Sequence, residues 1–416
     1  MPRSCDALVI GGGPAGSTVA LLLARAGWSV AVVERASFPR RKVCGEFLSA
    51  TNLPLLRQLG LAESFLELAG PAVRRAGLFA RGRMIVADMP RFRDGADGWG
   101  RALGREHLDT ILLARAAAEG ASVWQPWHLV ACKRVEGREV DGRRCDDHYL
   151  CTVRCANPRR VVELRARIVV AAHGSWEAGQ LPTQPGRRAP LPSDLFGFKA
   201  SFLDARLPID LMPLLTFPGG YGGMVHTDHG RVSLSCCVRR DQLDTCRRLS
   251  RASSAGEAVL WHMKASSSGL RDVLEGAVLE DEWRSAGPIR PGVRSTDHEG
   301  VFLVGNAAGE AHPVVAEGIS MALQSAWLLA GHLVRTPRPA EVRRAYAAEW
   351  RHTFGPRIRA ASLIAHWAMR PAAVRASLPL LQAFPAILTE GARTSGKVTA
   401  LAGGEGLSPS AASRAR

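Results

Sequence analysis

The sequence predicts an α/β protein with a parallel-sheet domain, a second domain on an antiparallel sheet, and a helical C-terminal segment. Three observations carry this. Residues 6–10 (DALVI) run directly into GGGPAG and then into a stretch whose apolar residues recur at helical spacing. Residues 195–203 (LFGFKASFL) alternate so that Phe196, Phe198, Ala200 and Phe202 share one face, as in a strand with one apolar side. Residues 339–390 read as helices interrupted by Pro356, Pro371, Pro379 and Pro385.

In chain order, DALVI is short and apolar enough to be a buried parallel strand. Val19, Leu22, Leu23 and Ala26 then mark one face of a helix that Gly27 stops, and residues 28–33 (WSVAVV) form a second strand ending at Glu34. Helices are expected over 51–69 and 105–119, and a meander of strands over 121–171 with turns at Glu136-Gly137 and Asp141-Gly142. A Pro/Gly-rich boundary at 175–193 precedes the second sheet, which includes a hairpin turning near residues 228–230. The chain returns at 301–305 (VFLVG) to a buried strand, followed by a loop and a helix from Gly318 to Leu333. The expected domains are 1–175 with 286–335, 176–285 for the second sheet, 336–391 for the C-terminal helices, and 392–416 as a small, polar, flexible tail.

Composition narrows the class. The 416 residues are 46% apolar and 22% charged, which suits a globular protein of two or three domains. The net charge is +16, and Arg supplies 49 of the 54 basic residues against five Lys, spread along the chain. A nucleic-acid binder concentrates such charge on one stripe with aromatics between, and that clustering is missing. No apolar run is long enough to span a bilayer and no secretory signal pattern opens the chain, so a soluble, cytoplasmic protein is expected. Nine cysteines, odd in number and without Cys-x-x-Cys spacing, read as reduced thiols filling core positions and not as a metal site.

Gly11-x-Gly13-x-x-Gly16, with Pro14 and Ala15 inside it, has a physical use for each glycine, namely a tight turn, close approach of the backbone to a pyrophosphate, and close packing of helix on strand. The helix N-terminus offers N–H groups and a positive dipole end to phosphates, and Glu34 stands where a carboxylate accepts ribose hydroxyls. This predicts a dinucleotide site but does not separate NAD from FAD. A second stretch does: Gly305-Asn306-Ala307-Ala308-Gly309-Glu310-Ala311-His312-Pro313, then Glu317-Gly318 opening a helix.

With VIGGGPAGSTVA, RRKVCGEFLS, GREHLDTILL, IVVAAHGSW and FLVGNAAGEAHPVVAEGISMALQSA, residues 5–335 resemble the FAD-dependent aromatic hydroxylases, geranylgeranyl reductases and flavin halogenases that share the para-hydroxybenzoate hydroxylase fold. The resemblance implies a Rossmann-like FAD-binding domain of that type with an antiparallel-sheet substrate domain. It places Arg41, Lys42, Cys44, Gly45 and Glu46 along the flavin and its ribityl chain, Arg105 near the pyrophosphate together with Arg35 and Arg41, and Gly305, Asn306, Pro313, Glu317 and Gly318 at the late loop and helix. That helix would aim its N-terminus at the flavin N1–C2=O edge. Cys44 reads as a small hydrophobe rather than a covalent flavin tether.

Departures from the family pattern shape the functional expectation. Asn306 replaces an Asp, and His173-Gly174 stands where the family has Asp-Gly. Of the reductases' Tyr-x-Trp-x-Phe-Pro only Phe217-Pro218 remains, and the halogenases' Trp-x-Trp-x-Ile-Pro is absent from the ten Trp residues. No second glycine fingerprint marks a nicotinamide domain, so NADPH or NADH would dock transiently or a partner flavin reductase would supply electrons. The expectation is an FAD-dependent monooxygenase using O₂ on an aromatic, phenolic or polyketide-type small molecule of specialised metabolism. The alternatives are an FAD-dependent reductase of an isoprenoid, a flavin halogenase, and a non-enzymatic binder of nucleic acid or membrane surface. Candidate acid–base groups are His312, Glu310 and Tyr221, with Glu317 and His226, Tyr221 being expected on a flexible glycine-rich loop. The Phe196, Phe198 and Phe202 face is a candidate roof for the substrate.

Overall fold

The computed structural model describes residues 3–92, 98–137, 139–140, 143–144, 147–155, 159–175, 181, 183–184, 186 and 188–397. Much of the expected 175–193 boundary, the Asp141-Gly142 turn, Cys145 and residues 398–416 lie outside them.

The first sheet centres on Ser4–Ile10, paired in parallel with Arg160–Ala171 on one side and Val30–Val33 on the other. Ser122–Trp124 and Val301–Leu303 extend it in parallel, and Trp127–Val135 and His148–Cys155 fold back as the antiparallel meander. Because Ile10 pairs with both Ala171 and Val33, and Leu303 with Ala171, the residues that follow (Gly11, Ala172, Glu34 and Val304) gather at one edge. Ligands of open parallel sheets bind at this carboxyl end. Val19 to Leu23 on the Pro14–Arg25 helix are buried against the sheet, whose central strands are apolar on both faces.

The second sheet has eight strands and is antiparallel apart from one pair. That pair differs from expectation. Arg75–Ala80 and Arg83–Asp88, which the sequence assigns to the first domain, are hydrogen-bonded into the second sheet, Arg75–Ala80 running parallel to Leu211–Phe217. Arg284–Ile289 likewise pairs with Leu195–Leu203. Both are long-range strand pairings, which local periodicity does not encode.

The alternation in Leu195–Leu203 is real, but its direction corrects the sequence reading. Phe198, Ala200 and Phe202 pack with Leu243, Val259, Met263 and Leu270 of the helices that cover the outer face of the sheet, and Phe196 joins their edge. The phenylalanine face is core, and Gly197 on the opposite face meets the space between the sheets.

Pro339–Ala368 is one 30-residue helix that passes through Pro356, contrary to the expected interruption. Burial of Tyr346, Trp350, Phe354 and Ile358 outweighs the single lost hydrogen bond. Pro371 begins the next helix, Pro371–Ala383, where its missing N–H is not needed, and Pro379 lies inside that helix. After Ala386–Ala392, residues 393–397 form a further turn in which Ser395 and Lys397 are buried, so this part of the expected tail is packed. No single helix among the described residues is long and apolar enough to cross a membrane.

Candidate functional site

A cavity of about 720 Å³ lies between the sheets and is walled on a third side by the C-terminal helices. Its first end is the glycine loop. Gly11 has φ +104°, and a Cβ there would stand 2.7 Å from Ala172 O; at Gly16 a Cβ would stand 1.9 Å from Gly11 O. Gly16 thus packs helix on loop, beneath the cavity surface. Gly13 faces open space, its nearest neighbours being guanidinium nitrogens of Arg105 and Arg40 at 3.7 and 3.9 Å. No side chain caps the Pro14–Arg25 helix, and Pro14 and Ala15 line the cavity beside it. Glu34 is buried and accepts from Gly12 N–H at 2.7 Å and Ala36 N–H at 2.8 Å, which aims its carboxylate at the cavity edge.

Arg105 and Arg40 share one buried counter-ion. Arg105 donates twice to Asp109, at 2.7 and 2.8 Å, and Arg40 Nη1 stands 3.2 Å from the same carboxylate. Burial opposes the Arg105 charge, but Asp109 and Cys44 beside it raise its pKa above the ordinary range. Arg40 Nε is buried without a hydrogen-bond partner. Arg35 also lines the cavity. Arg41 does not: it reaches the other way, to Glu106 at 3.1 Å and Asp281 at 3.0 Å. Adjacent arginines leave a turn on opposite sides, and spacing alone does not say which.

Cys44 and Gly45 line the middle of the cavity with Lys42. Glu46, with φ +60°, forms a buried ion pair with Lys199 from the second sheet and accepts from Arg105 N–H at 3.2 Å. In the late loop, Asn306 Nδ2 donates to Glu310 Oε1 at 2.9 Å, Ser175 donates to Glu310 Oε2 at 2.6 Å, and Arg294 donates to Asn306 O at 2.6 Å. Burial pushes the Glu310 carboxyl up, against Ser175 and Arg294. Gly305, Asn306, Pro313 and Gly318 reach the cavity, and a Cβ at Gly318 would meet nothing within 4 Å.

Tyr221 is on the strand Gly220–His226 and 2% exposed, not on a flexible loop as the glycines around it suggest. Its hydroxyl lies 3.2 Å from His312 Nδ1. His312 sits behind the cavity wall; burial and the nearby His366 push its pKa down to about 4, so it is neutral at pH 7. Burial pushes the Tyr221 phenol well above its ordinary range. His226 is turned aside, its Nε2 bonded to Leu207 O at 2.8 Å. Glu317 is buried against Lys397. The far end of the cavity is apolar, built by Ile364, Trp367, Leu380, Leu381, Ile387 and Leu388 of the C-terminal helices.

Sequence reasoning missed Arg40, Lys199, Lys397 and Ser175. One signal was present: in a chain with only five Lys, two are buried in ion pairs beside this cavity. Among the described residues, the His107, Asp228 and His229 group brings possible metal ligands together, but it lies away from the cavity and Asp228 is already paired with Arg231.

Fold and cavity together define a two-sheet protein with a dinucleotide site opening into an apolar chamber. Residues 4–353 match the FAD-binding-domain family model, and the chain belongs to that family. It is 27% identical over 369 residues to a tryptophan 2-halogenase of Chondromyces crocatus (84% of this chain and 65% of that one), and 26% identical over 347 residues to a menaquinone reductase of Mycolicibacterium smegmatis (79% and 76%). The chain therefore spans just under two thirds of the halogenase. Among solved structures, the myxobacterial chondrochloren halogenase CndH superposes with a TM-score of 0.71 at 20% identity, covering 94% of this chain and 91% of that one. PqsL of Pseudomonas aeruginosa, a probable FAD-dependent monooxygenase, superposes with a TM-score of 0.66 at 19% identity, covering 90% and 100%. The residues present fit FAD: an uncapped helix end, a side-chain-free approach at Gly13, an unpartnered buried nitrogen on Arg40 and a carboxylate at the strand end.

Proposed function

We propose that this FAD-dependent oxidoreductase is a monooxygenase of an apolar aromatic or phenolic small molecule. The observation that carries the reading is the continuity of one cavity from the glycine loop to the apolar end, with Tyr221 on the wall between them. FAD, when bound, supplies the electron-transfer and O₂ chemistry. Gly11, Gly13, Ala15, Glu34, Arg40 and Arg105 would hold its dinucleotide part, and Asn306 and Gly318 would face the remainder. The chain's own part is to exclude water and to orient the substrate. Leu381, Leu388 and Trp367 give the substrate a dry wall. Tyr221 lines the cavity and would orient a phenolic substrate, its hydroxyl held in place by neutral His312 behind it. Glu310, held by three partners, orients Asn306.

NADPH or NADH is proposed as the electron donor, with a partner flavin reductase as the other source. The test is oxygen uptake and product mass with each nucleotide, or with externally reduced flavin, across a panel of phenols. A product heavier by one oxygen atom is expected. Halogenation is the second reading, favoured by the tryptophan 2-halogenase relative, and is read by adding bromide to the same assay. Replacement of hydrogen by bromine, or uptake of two hydrogens as in the reductase relatives, overturns the monooxygenase reading.

A further inference from the structure

We propose that Lys397, brought in by the C-terminal turn, tunes the reduction potential of the bound flavin by neutralising Glu317 at the start of the Gly318–Arg335 helix. Glu317 is the residue before that helix and is 1% exposed. Lys397 is itself buried, lines the cavity, and lies 4.7 Å over the Phe47 ring. Its ammonium donates to Glu317 Oε1 at 3.0 Å and to Val315 O at 2.8 Å. Glu317 Oε2 is buried without a hydrogen-bond partner. Arg357 is the other cation facing this carboxylate; its Nη1 donates to Gln324 Oε1 at 2.8 Å, and Glu317 supports its charge against burial. The remaining polar neighbours here, Asn52, Ser320 and Gln324, are neutral and bonded among themselves.

A helix N-terminus carries about half a positive charge and favours negative charge placed before it. Reduction of a flavin by two electrons and one proton adds one negative charge to the ring, so a positive end facing the cavity makes reduction easier. A bare carboxylate at the same end would cancel that advantage, and at low dielectric the opposition would be large. The buried ammonium removes it. A lysine suits the role because its compact charge fits between Glu317 and Val315 O, where a planar guanidinium would need more room. The two bonds of Lys397 have separable functions: Val315 O fixes the loop, and Glu317 balances the charge.

This charge balance goes beyond the proposed reaction and requires only that FAD binds, so its failure and the failure of the monooxygenase reading are distinguishable. The experiment is the midpoint potential of FAD bound to the full chain, measured anaerobically by equilibration with reference dyes near neutral pH. Glu317→Gln keeps an oxygen acceptor and leaves the Val315 bond, but exposes the cavity to an unbalanced ammonium; the potential is expected to rise. Glu317→Gln with Lys397→Met removes both charges and is expected to bring it back toward the parental value. Lys397→Met alone is expected to lower it, and serves if Glu317→Gln does not fold. A parental potential in Glu317→Gln, or shifts of the same sign in the two single variants, overturns the proposal, because a loosened site has no reason to follow the sign of the charge.

Discussion

The Tyr221 hydroxyl lies 3.2 Å from His312 Nδ1, with the tyrosine on the cavity surface and the histidine behind it. In this arrangement the outer group meets substrate and the inner one, neutral at pH 7, fixes the tyrosine hydroxyl. Tyr221→Phe keeps the ring that packs with Leu195 and Ile289 and deletes only the hydroxyl. Turnover of a phenolic substrate is expected to fall by about tenfold, the value of one hydrogen bond that orients the substrate, with FAD content unchanged. Single-turnover kinetics on the FAD-loaded variant is the check.

His312 also gives the fold a pH dependence of definite sign. Its folded pKa, about 4, is below its ordinary 6.5 because of burial and the neighbouring His366. Between these values the unfolded chain binds a proton that the folded chain does not. Stability contributed here is complete above about pH 6.5 and is lost as pH falls toward 4, by about 3 kcal/mol in total. Urea denaturation from pH 7.5 to 4.5 should show this loss. His312→Asn should reduce the slope.

Arg40 and Arg41 should separate cleanly. Arg40 turns Nη2 toward the glycine loop, 3.6 Å from Glu34 Oε2, and its Nε is buried without a hydrogen-bond partner, while Arg41 is spent on Glu106, Glu280 and Asp281. Arg40→Met is expected to weaken FAD binding by about 10- to 100-fold, the value of a charge-assisted hydrogen bond, and Arg41→Met to leave it nearly unchanged. Titration of the apoprotein with FAD, followed by flavin fluorescence, measures both.

Glu46, in the loop after Gly45, and Lys199 of the second sheet form a buried pair that ties that loop to the sheet. Lys199→Met strands a buried carboxylate and should destabilise by about 3–5 kcal/mol; adding Glu46→Gln should recover most of that, since the loss comes from an uncompensated charge. Thermal unfolding of the two variants side by side decides it.

These pairs show which parts of the molecule were legible in the sequence. The glycine loop with Glu34 could be read because its strand, turn, helix and strand are consecutive, so spacing alone states the geometry. The late loop was readable for the same reason, since Gly305 to Gly318 is a local structure. What escaped was assembled from distant segments: Glu46 with Lys199, Glu317 with Lys397, and Arg75–Ala80 with Leu211–Phe217. Side-chain direction also escaped where two candidates were adjacent, as with Arg40 and Arg41. An alternating strand shows that it has an apolar face but not which layer that face meets. The phenylalanines of Leu195–Leu203 are therefore visible as a pattern and misleading as a substrate wall.

Phe198 is 2% exposed and packs among the outer helices, whereas Leu381 lines the apolar end of the cavity. Phe198→Ala leaves a hole in a close-packed layer and should destabilise the fold by about 3–5 kcal/mol. Its effect on KM should be slight, because no part of the ring reaches the cavity. Leu381→Ala should do the reverse: a smaller change in stability, an FAD affinity like the parent, and a KM for apolar substrates raised by about tenfold, the value of roughly 1.4 kcal/mol of lost apolar contact. Steady-state kinetics and urea denaturation on the same two preparations give a crossed pattern if the C-terminal helices form the substrate wall. If Phe198→Ala instead raises KM while Leu381→Ala does not, the substrate meets the sheet and not the helices.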